Sequence, residues 1–300
     1  MNDQARILRA LAAEHRAQRS PARTRTIAIA GGISGVGATT LAANLAVALQ
    51  QAGSRSVLVD AGSGPVRAAR LLGLSPHQTL RHVLDGVATL PGITLVGPCG
   101  ARVVPATACL EDLGNLSPWQ EERLSSGLAL LGQEADLVLV DAGSGPAPGL
   151  IEMLAAAPEV LVVATPRAEA VTGAYALIKL LAQRGAAPRV HVLINRVYVR
   201  SEGTATAGRM AEVAERFLEI RINRLGFVPE DPEVERATQL GRAFVVATPF
   251  GAAARALAGI AQQLRRAATD RPSAPLSSAL RQLSTLRAQS QATTLAEGAS

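Results

Sequence analysis

The chain's most specific chemistry lies in one short stretch, Gly31-Gly32-Ile33-Ser34-Gly35-Val36-Gly37-Ala38-Thr39-Thr40. Glycines at this spacing let successive backbone N–H groups turn toward an anion, and a hydroxyl at the start of the following helix can hold Mg²⁺ on a phosphate. From Gly32 onward the pattern is that of a phosphate-binding loop, G-x-x-x-x-G-K-[ST]. Its lysine position holds Ala38. The expected phosphate contacts are therefore the loop residues Gly32, Ser34, Gly35, Val36, Gly37, Ala38, Thr39 and Thr40, without the cation that normally completes them.

A second candidate feature is a repeated nonapeptide. Val57-Leu58-Val59-Asp60-Ala61-Gly62-Ser63-Gly64-Pro65 recurs letter for letter at Val138–Pro146. Each copy reads as a buried strand that ends in Asp and a Gly turn. Ligands of open α/β sheets sit outside the carboxyl ends of the strands, so Asp60 and Asp141 are expected to face the glycine loop. Carboxylates there suit a hard cation or an attacking water. The plainer reading is that Asp after a strand only starts a turn. The glycines also fit a dinucleotide loop through Gly31, Gly35 and Gly37, and Tyr175 with Lys179 gives the Y-x-x-x-K pair of short-chain dehydrogenases. Against that rival, Val162 stands where the dehydrogenase serine belongs, and the Thr39-Thr40 pair has no role in binding a dinucleotide.

These residues need strands and helices to position them, and the chain supplies both in alternation. Ile27–Ala30, Val57–Asp60, Ile93–Val96, Arg102–Val104, Leu137–Asp141, Val160–Ala164, Val190–Asn195 and Leu225–Val228 are short apolar runs without polar alternation. That is the pattern of parallel strands covered on both faces. Helical periodicity marks Thr39–Gln51, Gly208–Phe217 and Ala252–Arg266 between them. The predicted fold is a doubly wound, mostly parallel α/β sheet over residues 27–268. Residues 1–20 carry an amphipathic helix over 3–18, 21–26 read as a linker, and 269–300 read as a disordered tail. Leu276, Leu280 and Leu283 give that tail a short helical stripe beside Arg281 and Arg287, too slight for a firm membrane anchor.

Composition narrows the function classes. The chain has 300 residues, 48% hydrophobic but only 2% aromatic, so the core must be built from Ala, Val, Leu and Ile. No apolar run reaches a membrane span, and the polar start lacks a signal peptide, so a cytoplasmic protein is expected. The net charge is +6 and nearly all cations are arginine. Without aromatic interleaving this points to arginine-rich coding rather than to specific nucleic-acid binding. Cys99 and Cys109 read as packing thiols. His77 and His82 could share a helix face, but nothing completes a metal site.

The motifs together resemble the MinD/ParA class of deviant P-loop ATPases, and within it the FlhG (FleN, YlxH) family of flagellar number regulators. The resemblance runs from about residue 2 to 266. Asp3-Gln4-Ala5-Arg6-Ile7-Leu8-Arg9 is similar to that family's D-Q-A-x-x-L-R helix. Leu71-Leu72-Gly73-Leu74, Gly97-Pro98-Cys99-Gly100 and Ala174–Lys179 match further family segments. The resemblance implies ATP or ADP with Mg²⁺ as cofactor, Thr39 and Asp141 as metal ligands, and Asn195 and Pro229 at the adenine. It implies an FlhF-like GTPase as the partner of Asp3, Gln4, Ala5, Leu8 and Arg9, with a flagellar switch protein, a flagellar transcription activator and a second copy of the chain as further partners. Placement at the inner face of the membrane or the cell pole is part of the same implication.

Three departures from the family pattern bear on activity. Ile33 replaces the signature lysine that reaches the partner's phosphates, Ala38 replaces the Walker lysine, and Gly62 replaces the Asp of the D-x-D motif. A charge-assisted hydrogen bond is worth about 1.5–3 kcal/mol, so affinity falls by about 10- to 150-fold for each bond lost. Loss of an arginine-finger-like cation costs about 10³–10⁵ in rate. Weakened binding without turnover is expected, with Asp60 left as the one possible catalytic carboxylate. Arg167, after Thr165-Pro166, could return some charge to the site. The alternative is a working ATPase that cycles between monomer and dimer.

Overall fold

The computed structural model describes residues 24–62, 67–106, 116–145, 148–185 and 188–267. Eight strands form one sheet: β1 Arg25–Gly31, β2 Ser56–Asp60, β3 Leu95–Val96, β4 Arg102–Pro105, β5 Leu137–Ser144, β6 Glu159–Ala164, β7 Arg189–Val197 and β8 Ile222–Pro229. Their order is β3-β4-β2-β5-β1-β6-β7-β8. All neighbours run parallel except β3 on β4. The predicted doubly wound sheet is thus observed, with an antiparallel edge.

The alternation of side chains explains why both faces are covered. In β1, Ile27 and Ile29 enter one apolar cluster while Ala28 and Ala30 enter the other. Successive strand residues point to opposite faces, so a strand that is apolar throughout can be satisfied only by helices on both sides. On the first face lie α1 (Ala38–Gln51), through Leu41, Leu45 and Leu49, and the last described helix, α11 (Ala252–Ala267), through Leu257, Ile260 and Leu264. The short α2 (Arg67–Leu71) and α10 (Phe244–Ala247) join them there. The opposite face carries α3 (Leu80–Leu84), α4 (Leu90–Ile93), α5 (Pro118–Gln133), α6 (Pro148–Ala156), α7 (Ala168–Gln183) and α8 (Arg200–Leu218). The remaining helix, α9 (Pro232–Gln239), follows β8. Phe244 is the largest fully buried side chain, while Trp119, Tyr198, Phe217 and Phe250 are exposed, as a core of aliphatic residues requires.

Several expectations are corrected. Arg25 and Thr26 belong to β1 rather than to a linker, and Arg25 is buried in an ion pair. Its guanidinium reaches Glu159 at 2.6 Å and the Leu264 carbonyl at 2.7 Å, so it ties the foot of β1 to β6 and to the last turn of α11. His191 completes the cluster at 2.8 Å from Glu159. Burial alone would raise the Glu159 carboxyl, but the Arg25 and His191 hydrogen bonds outweigh it and hold the group at about 2.

Ile93 ends a helical turn instead of starting a strand, because the Thr89 hydroxyl accepts the Gly92 N–H and Pro91 suits the first turn. His82 is engaged within its own helix, where its Nδ1 accepts the Thr79 N–H, and His77 lies outside that helix. Cys99 is exposed, not packed, with φ 56° in a 3₁₀ turn. The helix expected from Gly208 begins at Arg200. The segments 1–20 and 269–300, including Asp3–Arg9, and Cys109 lie outside the described residues. Among the described residues no helix is long and apolar enough to cross a membrane.

Candidate functional site

The site forms where β2, β5 and β1 end together. Asp60 and Asp141 are register partners across β2 and β5, and both are buried, at 2% and 1% exposure. The second copy of the nonapeptide runs on as strand through Ser144, with a bulge against β1 after Ile29. That extension staples the start of the glycine loop, since the Gly145 N–H donates to the Gly31 carbonyl at 3.0 Å.

The loop itself is fixed by close backbone approach. A Cβ on Gly32 would lie 2.1 Å from the Gly173 carbonyl carbon of α7, so loop and helix touch there with no side chain between them. Gly37 has φ 88° and caps α1, a left-handed conformation open to glycine at little cost. Asn195 on β7 donates from Nδ2 to the Val36 carbonyl at 2.8 Å, and a Cβ on Gly37 would fall 2.4 Å from that same nitrogen. Gly32 and Val36 therefore place the loop, and neither lines the cavity it encloses.

That cavity measures about 490 Å³. Ser34, Gly35, Gly37, Ala38, Thr39 and Thr40 form one wall, with Asp60, Gly62 and Asp141 also lining it. A second cavity of about 300 Å³ adjoins it, with Gly37, Thr40, Arg196 and Thr238 common to both; Asn195 and Pro229 line this second space. Tyr175, Lys179 and Arg167 line neither. Arg167 instead occupies the N-cap position of α7 and is not among the residues that line the phosphate cavity. The charge comes from residues that the sequence did not single out for it: Arg67 and Arg70 on α2, and Arg196 on β7. The only sequence signal was an i, i+3 arginine pair just beyond the first nonapeptide copy.

The carboxylates differ in their duties. Asp60 Oδ2 accepts the Ala68 N–H at 2.9 Å and the Ala69 N–H at 3.4 Å, so it docks the start of α2 onto the end of β2. Burial raises its proton affinity, partly offset by those N–H donors and by the Arg67 charge. Asp141 accepts the Gly143 N–H at 3.2 Å and bonds with the Thr39 side chain. Burial first, and the neighbouring Asp60 second, push it up to about 6. Thr39 with the two carboxylates is an all-oxygen donor set of the kind Mg²⁺ prefers. No group of three or more His, Cys, Asp and Glu side chains among the described residues could hold a metal. Magnesium would therefore depend on phosphate oxygens and water for the rest of its shell.

The three departures have distinct surroundings. Ile33 is partly buried against the apolar cluster around α1. A Cβ on Gly173 would come within 2.6 Å of its Cγ2, so Ile33 lies along α7 of its own chain. Ala38 is 2% exposed at the head of α1. Gly62 has room, since a Cβ there would meet Gly143 no closer than 3.5 Å.

A strand–glycine loop–helix unit beside two strand-end carboxylates is matched by the CobQ/CobB/MinD/ParA nucleotide binding domain over residues 27–244, more than half of the chain. The chain belongs to the MinD/ParA family. Antiactivator FleN of Pseudomonas aeruginosa is 35% identical over 80% of this chain and 86% of its own length. The flagellum site-determining protein YlxH of Helicobacter pylori is 29% identical over 71% of this chain and 72% of its own. Among solved structures, the septum site-determining protein MinD complexed with Mg-ADP from Pyrococcus horikoshii superposes with a TM-score of 0.62. It is 24% identical, and the match covers 82% of this chain and 97% of that one, which shows the shared MinD/ParA fold.

Proposed function

We propose that this MinD/ParA-family chain regulates flagellar number or placement through protein contacts, on a nucleotide-binding scaffold that has lost turnover. The observation that carries the reading is a formed phosphate cavity from which the reactive groups are missing. The cavity keeps its loop, Thr39, Asp60 and Asp141. Ala38 offers no charge, Ile33 lies along its own α7, and Gly62 offers no group to orient a water. Backbone N–H donors and a Mg²⁺ on Thr39 and Asp141 could still hold ATP or ADP, more weakly than a complete P-loop.

The flagellar role is supported by the FleN and YlxH relatives, whose names describe an antiactivator and a flagellum site-determining protein. The proposal keeps the three kinds of partner that the sequence resemblance implies: a flagellar transcription activator, a flagellar switch protein and an FlhF-like GTPase. The segment carrying Asp3, Gln4, Ala5, Leu8 and Arg9 is the contact for the GTPase, in the cytoplasm or at its membrane face. A second copy of the chain is a further partner in this proposal. The test is deletion of residues 1–20 followed by GTPase assays with the cognate FlhF-like protein. Loss of stimulation is expected; full stimulation by the truncated chain would remove this partner from the account.

A further inference from the structure

We infer that Arg67 and Arg70 of α2 hold the phosphates of a nucleoside di- or triphosphate in place of the lysines that the loop lacks. The inference rests on the reading that the cavity keeps its shape, and it assigns the charge that shape requires. Arg67 and Arg70 both line the 490 Å³ cavity along with the glycine loop. At i and i+3 they stand on one side of their helix. Both are exposed, and among the described residues neither makes a salt bridge, although the Arg67 charge acts on Asp60 and Asp141 across the cavity.

The placement of these arginines is built rather than incidental. Asp60, buried at the end of β2, grips the backbone of Ala68 and Ala69, which fixes α2 at the rim of the phosphate cavity. Arg196 lines the same space from a left-handed backbone, φ 56°, at an irregularity in β7. A non-glycine residue held in that conformation is kept there by its surroundings. Guanidinium groups suit the task because their planar forks meet phosphate oxygens in pairs, whereas an ammonium acts as a point charge. The adjoining 300 Å³ cavity shares Arg196, Gly37 and Thr40 and is walled partly by Leu41, Val228 and Phe244. A base and sugar fit there while the phosphates meet α2, which favours a nucleotide over a bare polyphosphate.

Calorimetric titration with Mg-ADP tests this on the full chain. The wild type is expected to bind, and Arg67→Gln and Arg70→Gln are each expected to weaken binding by about 10- to 100-fold. Arg67→Lys should recover only part of the affinity, because it restores the charge without the paired fork, and raised salt should weaken the wild type more than the Arg67→Gln/Arg70→Gln double variant. Thermal melts identify any variant that fails to fold; Arg70, further from the carboxylates in sequence, then carries the test alone. Equal affinity of the wild type and a folded arginine variant would overturn the inference, as would no wild-type binding at about 1 mM ADP. Neither result touches the proposed loss of turnover, which phosphate release measures separately.

Discussion

Replacing Gly37 with Ala probes how the loop is held, and Gly35→Ala provides an internal control. Both glycines have left-handed backbones, at φ 88° and φ 84°. A β-carbon in that conformation costs about 1–2 kcal/mol. At Gly35 nothing lies within 4 Å of the added carbon, so that backbone cost is the whole effect. At Gly37 the carbon would fall 2.4 Å from Asn195 Nδ2, the atom that donates to the Val36 carbonyl. The amide must move, and a carbonyl satisfied across the sheet loses its donor. An orphaned buried polar group adds about 1–3 kcal/mol. The totals are about 1–2 kcal/mol for Gly35→Ala and about 2–5 kcal/mol for Gly37→Ala. For a domain of this size 1 kcal/mol moves the melting temperature by about 2–4 °C. Gly37→Ala should therefore melt about 2–12 °C below Gly35→Ala in calorimetric scans of the ligand-free proteins. Asn195→Ala should remove most of that gap, because the two changes act on the same contact. Equal melting of the two alanine variants would refute the clamp between loop and β7.

Two further perturbations separate foundation from site by pH. Glu159→Gln should cost about 3 kcal/mol at pH 7, since it leaves Arg25 buried without its partner charge. The carboxyl is held at about 2 in the fold against an ordinary 4.5, so its stabilisation is complete above pH 4.5 and is lost as pH falls toward 2. Denaturant titrations should show wild type and variant converging on acidification, and a gap independent of pH would contradict the pairing. Asp141→Asn should do the reverse. The folded carboxyl sits at about 6 against an ordinary 3.8, so the ligand-free wild type loses up to about 3 kcal/mol as pH rises from 3.8 to 6. In chelator the asparagine variant should be the more stable above pH 6 and equal to wild type near pH 4; a variant less stable at pH 7 would show that Asp141 is a structural support.

The sheet was legible because its strands are apolar on both faces, so eight short runs could be placed without alternation. The loop was legible because its glycines mark the backbone conformations they permit. What stayed hidden depends on distant contacts. Nothing local to Arg67 and Arg70 says that Asp60 will dock their helix at the cavity rim. Arg196 stands beside Asn195 in sequence, yet nothing local foretells its left-handed backbone, which coincides with the irregular pairing of β7 with β8. Arg25 reads as a linker residue until Glu159, His191 and the Leu264 carbonyl close around it. Arg167, which could have returned charge to the site, stands at the N-cap position of α7 and does not line the cavity.

The central claim is that the cavity has outlived its turnover chemistry, and steady-state phosphate release tests it most directly. Purified wild-type chain with Mg-ATP should release no phosphate above a matched preparation lacking the protein, with or without the proposed FlhF-like partner. Release above that blank, abolished by Asp60→Ala in a folded variant, would contradict the account and restore a working ATPase.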